Sequence, residues 1–523
     1  MTKGIDTKRI FSEEIFDPAF VLEGPHLVAA SAGTGKTYNI QNIYARLVAE
    51  KGFRVAQIQV MTFTEAATKE LRARVRAMLS NMARFLANET KDINQDELDR
   101  LEKLRDCVRK NIGGADADAV ARARIELALM EFDQASISTI HGFCRRALVR
   151  FAFETNSAFR SEFADTKRQD LSHRVRDWWR CEHTSLEEPI KSGLSLGTLD
   201  GFVQALSGKS GWSVDEGEVN DPNMFALARA KEIVNAYEED RPARDTQTYD
   251  DLLRGLQSAL RDKEKGASLA ARLREEFKAA LVDEFQDTDP VQYDIFRLVF
   301  LDPEVRPAPT LFFVGDPKQA IYSFRGGDIY TYKKAVTDPA VEANTFRLDK
   351  NFRSTPRLID AVNALFMDDK NPDGSCDYTF GNKSIDYPDA LRASDKAAFT
   401  LPDGTDDPSP FRIVEVDNKT SRNQAVVDTV LGILEEQRAK GLTPRDIAIL
   451  VTSHTDGADY RDMLRDVGVP AVLQKAGNVF AGELASDLRQ VLMAMAQMGG
   501  RGQVKAALLT RFFSSNEALF ADE

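Results

Sequence analysis

The sequence predicts an α/β protein with parallel sheets in two lobes. Three observations carry that prediction: a glycine loop between the apolar run Leu27-Val28-Ala29-Ala30 and the helical segment that follows, apolar strands at Ala279–Val282 and Thr310–Val314 that each lead into a polar motif and a helix, and a second strand and helix series between Phe411 and Leu473. Strands that alternate with helical patterns indicate βα units and a parallel sheet.

The first element is the segment AASAGTGKT at 29–37, which reads as strand, loop and helix start. Such a loop cradles phosphate. Backbone N–H groups of Gly33, Thr34 and Gly35 are expected to point at phosphate oxygens, the helix N-terminus adds its dipole, Lys36 reaches the β and γ phosphates, and Thr37 ligates Mg²⁺. Ala30 takes the first position of the pattern, where glycine is usual, and Ser31 and Ala32 complete the loop.

After the loop helix, Ala56 to Phe63 reads as a buried strand, and the chain from Ala66 as a helix with Leu71, Val75, Met78, Leu79, Met82 and Phe85 on one stripe. Lys69, Arg72, Arg74 and Arg76 occupy its other face, which on their own is best read as a solvated cationic surface. Residues 87–132 are charged and helical, and Ser136 to Ile140 is a short β-branched run ending at His141. From 150 to 245 the chain is polar, with Trp178, Trp179 and Trp212 and no parallel-sheet pattern, which suggests an inserted helical subdomain. The stretch 368–410 is rich in Asp, Pro and Gly and reads as a surface excursion or linker.

Beyond it, strands at Phe411–Val416, Ile447–Val451 and Ala471–Leu473 are expected to alternate with helices near Ser421–Lys440 and Asp456–Val467. The expected division is therefore a first lobe of 1–90 and 245–355, to which 135–150 returns, an inserted subdomain of 91–244, and a partial second lobe of 356–523.

Composition narrows the function less. The chain has 523 residues, enough for several domains, with 29% charged and 43% hydrophobic residues. A net charge of −13 argues against indiscriminate coating by nucleic acid but permits a locally basic channel. Cys107, Cys144, Cys181 and Cys376 form no metal-binding spacing, which fits a reduced cytoplasm. No run of 18 apolar residues and no secretory leader pattern occurs, so no membrane association is expected.

Two further motifs carry chemistry. The strand Leu281-Val282 ends in Asp283-Glu284, adjacent carboxylates of the kind that hold Mg²⁺ and orient an attacking water in nucleotide hydrolysis. The run from Phe313 to Asp328 places Gln319 at a strand end, where it can sense a γ phosphate, five residues before Phe324 and Arg325, which can stack a base and hold a phosphate.

With these on the page, the chain resembles a superfamily 1 helicase of the UvrD/Rep type, and within that group the RecB-like helicases, the beta subunits of exodeoxyribonuclease V. The matching segments are ASAGTGKT at 30–37, VMTFTEAATKELRARV at 60–75, STIHGFCRRAL at 138–148, TYDDLL at 248–253, LVDEFQDTDPVQYDIF at 281–296, GDPKQAIYSFRGGDIYTYKKA at 315–335 and LDKNFRSTPRLIDAVNALF at 348–366. The resemblance implies a P-loop motor domain of the RecA-like fold with a helical insertion, a partial second RecA-like lobe, and ATP with Mg²⁺ as ligands. It further implies 3′-to-5′ movement on single-stranded DNA, unwinding of duplex DNA, and partner subunits in a helicase–nuclease complex of recombination and double-strand-break repair.

Carried over by residue, the resemblance assigns Ala30 to Thr37 to the nucleotide, Thr37 and Asp283 to the metal, and Lys36, Asp283, Glu284, Gln319 and Arg353 to hydrolysis. Phe352 is implied to lie on the adenine, and Thr62, Phe63, Thr64, His141, Phe324 and Arg325 to line the DNA path. For Phe63 and Phe352 the residues alone favour core packing.

Two departures stand out. Helicases of this kind commonly read adenine with a glutamine ahead of the loop, and here Glu23 occupies the equivalent stretch. The later motifs of the second lobe, among them an arginine aimed at the γ phosphate, and a nuclease domain do not appear by Glu523; Arg511, in a segment similar to the entry of a second insertion, is not that arginine. The chain is accordingly expected to be the N-terminal part of a longer machine or one member of a split system. A nucleotide-gated DNA-binding or partner-docking module without turnover of its own is the open alternative.

Overall fold

The computed structural model describes residues 10–155, 162–163, 167–186, 193–207, 221–240, 246–247, 249–321, 328–366, 392–393, 400–401, 403–405, 407, 410–438, 441–473, 482–496 and 501–513. They fall into two compact units, 1–397 and 398–523.

The first unit is built on a six-stranded sheet. Its strands are β1 (Pro25–Ala30), β2 (Ile58–Thr62), β3 (Ile137–Thr139), β4 (Ala279–Val282), β5 (Thr310–Gly315) and β6 (Thr345–Leu348). The spatial order is β3-β2-β4-β5-β1-β6, and every pairing is parallel, with Leu27 opposite Phe313, Val282 opposite Phe313, Met61 opposite Val282, and Thr62 opposite Thr139. The parallel sheet expected from the sequence is present.

Both faces of the sheet are covered, which is why the strands read as continuous apolar runs rather than alternating ones. Along β5 all six residues are buried: Phe312 and Val314 face one core, Leu311 and Phe313 the other. The first core is closed by α1 (Lys36–Ala49), α2 (Glu65–Leu86), α3 (Gln95–Ile112) and α4 (Ala117–Met130). The second is closed by α5 (Ile140–Arg150), α9 (Tyr249–Arg261), α10 (Gly266–Glu276), α11 (Pro290–Phe300) and α12 (Ile329–Val336). Helix starts are capped by side chains: Thr64 accepts from the Ala67 N–H at 3.1 Å, and Asp289, followed by Pro290, accepts from the Gln292 N–H at 2.8 Å.

Residues 95–130 belong physically to this body, because Leu101, Leu104, Val108, Ala121 and Ile125 join the first core against α1 and α2. A separate small core holds α6 (Lys167–Glu182), α7 (Leu196–Ser207) and α8 (Pro222–Asp240), with Leu171, Val175, Leu199, Val203, Ala226 and Ala230 at its centre and Trp178 and Trp179 packed against it. Trp212 lies outside the described residues.

In the second unit α13 (Lys419–Glu436) and α14 (His454–Asp466) stand where helices are expected, and Val427, Val430, Leu464 and Val469 form their shared core. Ile447 and Ile449 pack on that core while Leu450 is 96% exposed, an alternation proper to a strand. Yet among the described residues Phe411–Val416, Ile447–Val451 and Ala471–Leu473 form no ladder, since a strand exists through a hydrogen-bonded partner and sequence alternation alone does not supply one. No helix among the described residues is long and apolar enough to cross a membrane.

Phe313 ties the layers together: it is fully buried, and its ring stacks on Phe285 at 4.1 Å between centroids. Phe313→Ala should remove about 3–5 kcal/mol from the first unit. A fall in the urea midpoint of that unit's transition checks it; an unchanged midpoint contradicts this packing.

Candidate active site and nucleic-acid interface

A parallel sheet sends the loops that follow its strands to one edge. Here β4, β5 and β1 are neighbours, so Asp283-Glu284, Asp316-to-Gln319 and the glycine loop meet there. The alanine at the first loop position is explained by the strand: Ala30 is the last residue of β1 and its methyl group sits in the first core.

Gly33 and Gly35 both hold positive φ, 74° and 94°, a region L side chains avoid. Gly33 is doubly constrained, because a Cβ there would lie 2.7 Å from Asn351 Nδ2 and 2.9 Å from Arg353 Cβ. Gly35 caps α1, whose first residues are Lys36 and Thr37. Of the loop N–H groups expected to face phosphate, that of Thr34 donates to Ser31 O at 3.3 Å, and its hydroxyl to the same oxygen at 2.7 Å.

Lys36 Nζ donates to Glu284 Oε2 at 2.6 Å. Glu284 adopts φ 53°, uncommon for a residue with a side chain, and this turn aims its carboxylate at the loop. The same Oε2 accepts from Gln286 Nε2 at 2.8 Å. Gln286 is buried, and its Oε1 accepts from the Asp316 N–H at 2.9 Å. Asp316 in turn accepts from Gln319 Nε2 at 2.8 Å and pairs with Lys318 Nζ at 3.0 Å.

Burial pushes the Asp283 carboxyl up to about 7, with the Glu284 carboxylate adding to the rise and Lys36 opposing it. Asp287 is likewise pushed up to about 7, by burial first and Glu284 second, and its Oδ1 is buried without a hydrogen-bond partner. Three carboxyl groups thus crowd one lysine, an arrangement short of positive charge.

The far wall comes from the chain after β6. Asn351 Nδ2 donates to Ala32 O at 2.8 Å, and its Oδ1 accepts from the N–H groups of Arg353 and Ser354 at 2.8 and 2.9 Å. The Phe352 N–H donates to Gly33 O at 2.8 Å, while its ring is 55% exposed, so it is not the core residue that its type alone suggests. Tyr38, next to Thr37 and 40% exposed, is a second open aromatic beside the loop. The Arg100 guanidinium stacks on its ring at 3.9 Å and is fastened by Asn42 Oδ1 at 2.7 Å and Tyr38 O at 3.2 Å. Sequence reasoning missed Asn351, Gln286, Tyr38 and Arg100. The run Asn351-Phe352-Arg353 lay inside a quoted motif, but only the pairing across the fold shows what the asparagine does.

Of the residues read as a DNA path, Thr62 to Thr64 lie at the end of β2 and His141 just after β3. Phe63 is half-buried and Thr64 is exposed at the start of α2. Thr62 is corrected: it is 4% exposed and its hydroxyl is shared with Thr68 Oγ1 at 2.6 Å, so it braces the turn and has no surface to offer a ligand. His141 lies in the first turn of α5 with its ring edge-on to Tyr249 at 5.1 Å. Burial lowers its pKa against the pull of Asp250, so the imidazole is neutral near pH 7. Phe324 and Arg325 lie outside the described residues. The chain links the two groups directly, since the Asp283 N–H donates to Met61 O at 2.9 Å.

Two other expectations change. Glu23 precedes β1, whose six residues span about 20 Å, and it pairs with Lys51 Nζ at 2.9 Å beyond the far end of α1. It is therefore remote from the loop and cannot read a base held there. Arg72 is no solvated cation: its guanidinium donates to Ala135 O and Ile137 O at 2.9 and 3.1 Å, fastening α2 to the chain entering β3. Arg511, set apart from the missing arginine by its sequence context, pairs with Asp487 at 3.1 Å on α15 (Glu483–Ala496).

Among the described residues no group of three or more His, Cys, Asp or Glu side chains is arranged to enclose a metal. Mg²⁺ does not require one, because beside phosphates it uses one or two protein oxygens and keeps waters. The charge-poor carboxyl cluster beside Thr37 fits such an ion.

The chain also has relatives among known proteins. The model of the UvrD/REP helicase N-terminal domain matches residues 12–340. The RecBCD enzyme subunit RecB of Mycobacterium tuberculosis is 28% identical over 95% of this chain and 44% of its own length. RecB of Escherichia coli is 27% identical over 96% of this chain and 52% of its own, and RecB of Haemophilus influenzae 27% over 94% and 52%. The chain thus spans about half the length of the curated relatives it matches.

The raised carboxyls give a pH signature. A group whose folded pKa lies above its unfolded value stabilises below the unfolded value and loses that contribution as pH rises through the folded one. For Asp287 the window runs from about 4 to about 7. Asp287→Asn should therefore raise the melting temperature of the nucleotide-free, metal-free protein at pH 8, by about 2–4 °C for each kcal/mol regained, and leave it unchanged near pH 4. Equal shifts at both pH values would show that this carboxyl is not held protonated.

Proposed function

The chain belongs to the UvrD/REP helicase family, and from that premise we propose that it hydrolyses ATP to move along single-stranded DNA and to separate duplex DNA. The proposed direction is 3′ to 5′, within a RecBCD-like helicase–nuclease assembly of the bacterial cytoplasm that repairs double-strand breaks. The observation that carries this reading is the convergence of Lys36, Glu284, Gln319, Asn351 and Arg353 around a glycine loop, on the sheet edge that also bears Phe63, Thr64 and His141.

In this reading Gly33, Gly35 and the start of α1 hold the β and γ phosphates, Lys36 neutralises them, and Arg353 and Gln319 meet the γ phosphate. Thr37 and Asp283 hold Mg²⁺, which supplies charge neutralisation to the phosphate oxygens when bound. Glu284 orients the attacking water and accepts its proton. Lys36 now pairs with that carboxylate at 2.6 Å, so a phosphate that draws Lys36 away leaves Glu284 free to act as a base. Phe352, with Tyr38 as a second ring, stacks the base. Stacking reads an aromatic face and not its hydrogen-bonding edge, so discrimination among purine nucleotides should be weak.

On the DNA side Phe63, Phe324 and the neutral His141 contact bases, while Thr64 and Arg325 contact phosphates. The proposed division keeps from the expected one a first motor lobe of 1–90 and 245–355 with 135–150 and a partial second lobe of 356–523, and it starts the inserted helical subdomain after the helices of 95–130, which pack into the first core.

Lys36 and Glu284 should fail differently, since one neutralises charge and the other positions water. Lys36→Ala should weaken Mg·ATP binding strongly. Glu284→Gln should retain it and lose hydrolysis by about 10²-fold or more. Titration of a fluorescent nucleotide alongside phosphate release separates the two. Intact binding in Lys36→Ala together with lost binding in Glu284→Gln would reverse the roles.

Phe324→Ala should weaken oligothymidylate binding about tenfold, as expected for removal of one base contact worth 1–3 kcal/mol, and leave nucleotide affinity in place. Unaltered DNA affinity in the folded variant removes Phe324 from the path.

A further inference from the structure

The Gln286 side chain does more than fill the core. Its amide is oriented without ambiguity: the Asp316 N–H can only donate and the Glu284 carboxylate can only accept, so Oε1 faces the first and Nε2 the second. Gly315 makes room for it, because a Cβ on that residue would approach Gln286 Oε1 to 2.6 Å and the Gln286 and Phe285 N–H nitrogens to 3.0 Å. The amide therefore has one orientation and one position. Its two ends join different strand termini, Glu284 after β4 and Asp316 after β5.

Each end is tied to something the proposed reaction must move. Glu284 Oε2 takes Lys36 at 2.6 Å and Gln286 at 2.8 Å, so two donors share one oxygen, and loss of Lys36 to a phosphate changes the hold on that oxygen. Asp316 holds Gln319 through Oδ2 at 2.8 Å, and Lys318 through its N–H at 3.1 Å and Nζ at 3.0 Å. Five residues beyond Gln319 in the sequence comes Phe324.

Resting on the proposed ATP and DNA reading, we propose that Gln286 is the positioning residue that couples the two ligands, carrying occupancy of the phosphate site from Glu284 to the Asp316–Gln319 turn and so to the DNA-contacting segment. Gln286 touches neither ligand. It acts through the carboxylate at one end and the strand terminus at the other. The competing route is the backbone bond from Asp283 N–H to Met61 O, which bypasses Gln286 altogether.

The test measures linkage, which a merely structural role would not alter selectively. Affinity for a fluorescent oligothymidylate is measured with and without saturating Mg·ATPγS, in the wild-type chain, in Gln286→Met, which removes the hydrogen bonds to Glu284, Asp287 and Asp316 at similar volume, and in Gly315→Ala, whose Cβ presses on the amide oxygen and on the backbone at Phe285 and Gln286. In the wild type the nucleotide should change DNA affinity by a factor in the usual allosteric range of about 5 to 150. Both variants should bring that factor close to one while each ligand, alone, binds within about threefold of wild type. If Gln286→Met does not fold, Gly315→Ala decides the matter by the same readout. The inference is overturned by an undiminished factor in a folded variant, by a wild-type factor of one, or by loss of nucleotide binding itself in the variants. Failure of the wild type to bind either ligand would overturn the functional reading instead.

Discussion

In a parallel sheet with both faces buried, each strand must hand its following loop to the same edge, and the chemistry of this protein depends on that constraint. β4, β5 and β1 lie side by side, so the carboxylates, the turn that starts at Asp316 and the glycine loop arrive together although they are separated by up to 285 positions in the chain, from Ser31 to Asp316. The two cores that cover the sheet are what make the edge rigid. Phe312 and Val314 anchor β5 from one side and Phe313 from the other, leaving the backbone no freedom to slide Asp316 away from Gln286.

Electrostatics at that edge is unbalanced. Asp283, Glu284 and Asp287 share the neighbourhood of a single lysine, and burial lifts two of the three carboxyls to about 7. A site of this kind is prepared for added positive charge, and in the proposed reading Lys36 exchanges between a carboxylate and a phosphate. The Asn351 clamp works by geometry instead. By taking Ala32 O with one end of its amide and the Arg353 and Ser354 N–H groups with the other, it fixes the loop against Phe352 and Arg353.

The neighbouring strands carry a surface of different character. His141 is kept neutral by burial, Thr62 is turned inward, and Phe63 and Thr64 remain at the edge. The described residues there offer aromatic faces and a hydroxyl. The backbone bond from Asp283 to Met61 and the Gln286 amide are the two short links from the carboxylates toward this side, one through β2 and one through β5.

The sequence by itself determined the loop, the acidic strand end, the parallel sheet and the order of the motifs, because each is written in a few adjacent residues whose conformation is local: glycines at a tight loop and apolar runs buried on both faces. It did not reveal β6, whose four residues make a strand only by pairing with β1, nor the share of α3 and α4 in the first core. It pointed to Glu23 as a base reader and to Thr62 as a ligand contact, and the fold removed both, one by the length of β1 and the other by burial. Gln286, Asn351 and the Tyr38–Arg100 stack became legible only in three dimensions. Their function lies in partners distant in sequence, and a hydrogen bond between such residues leaves no periodicity in the chain to read.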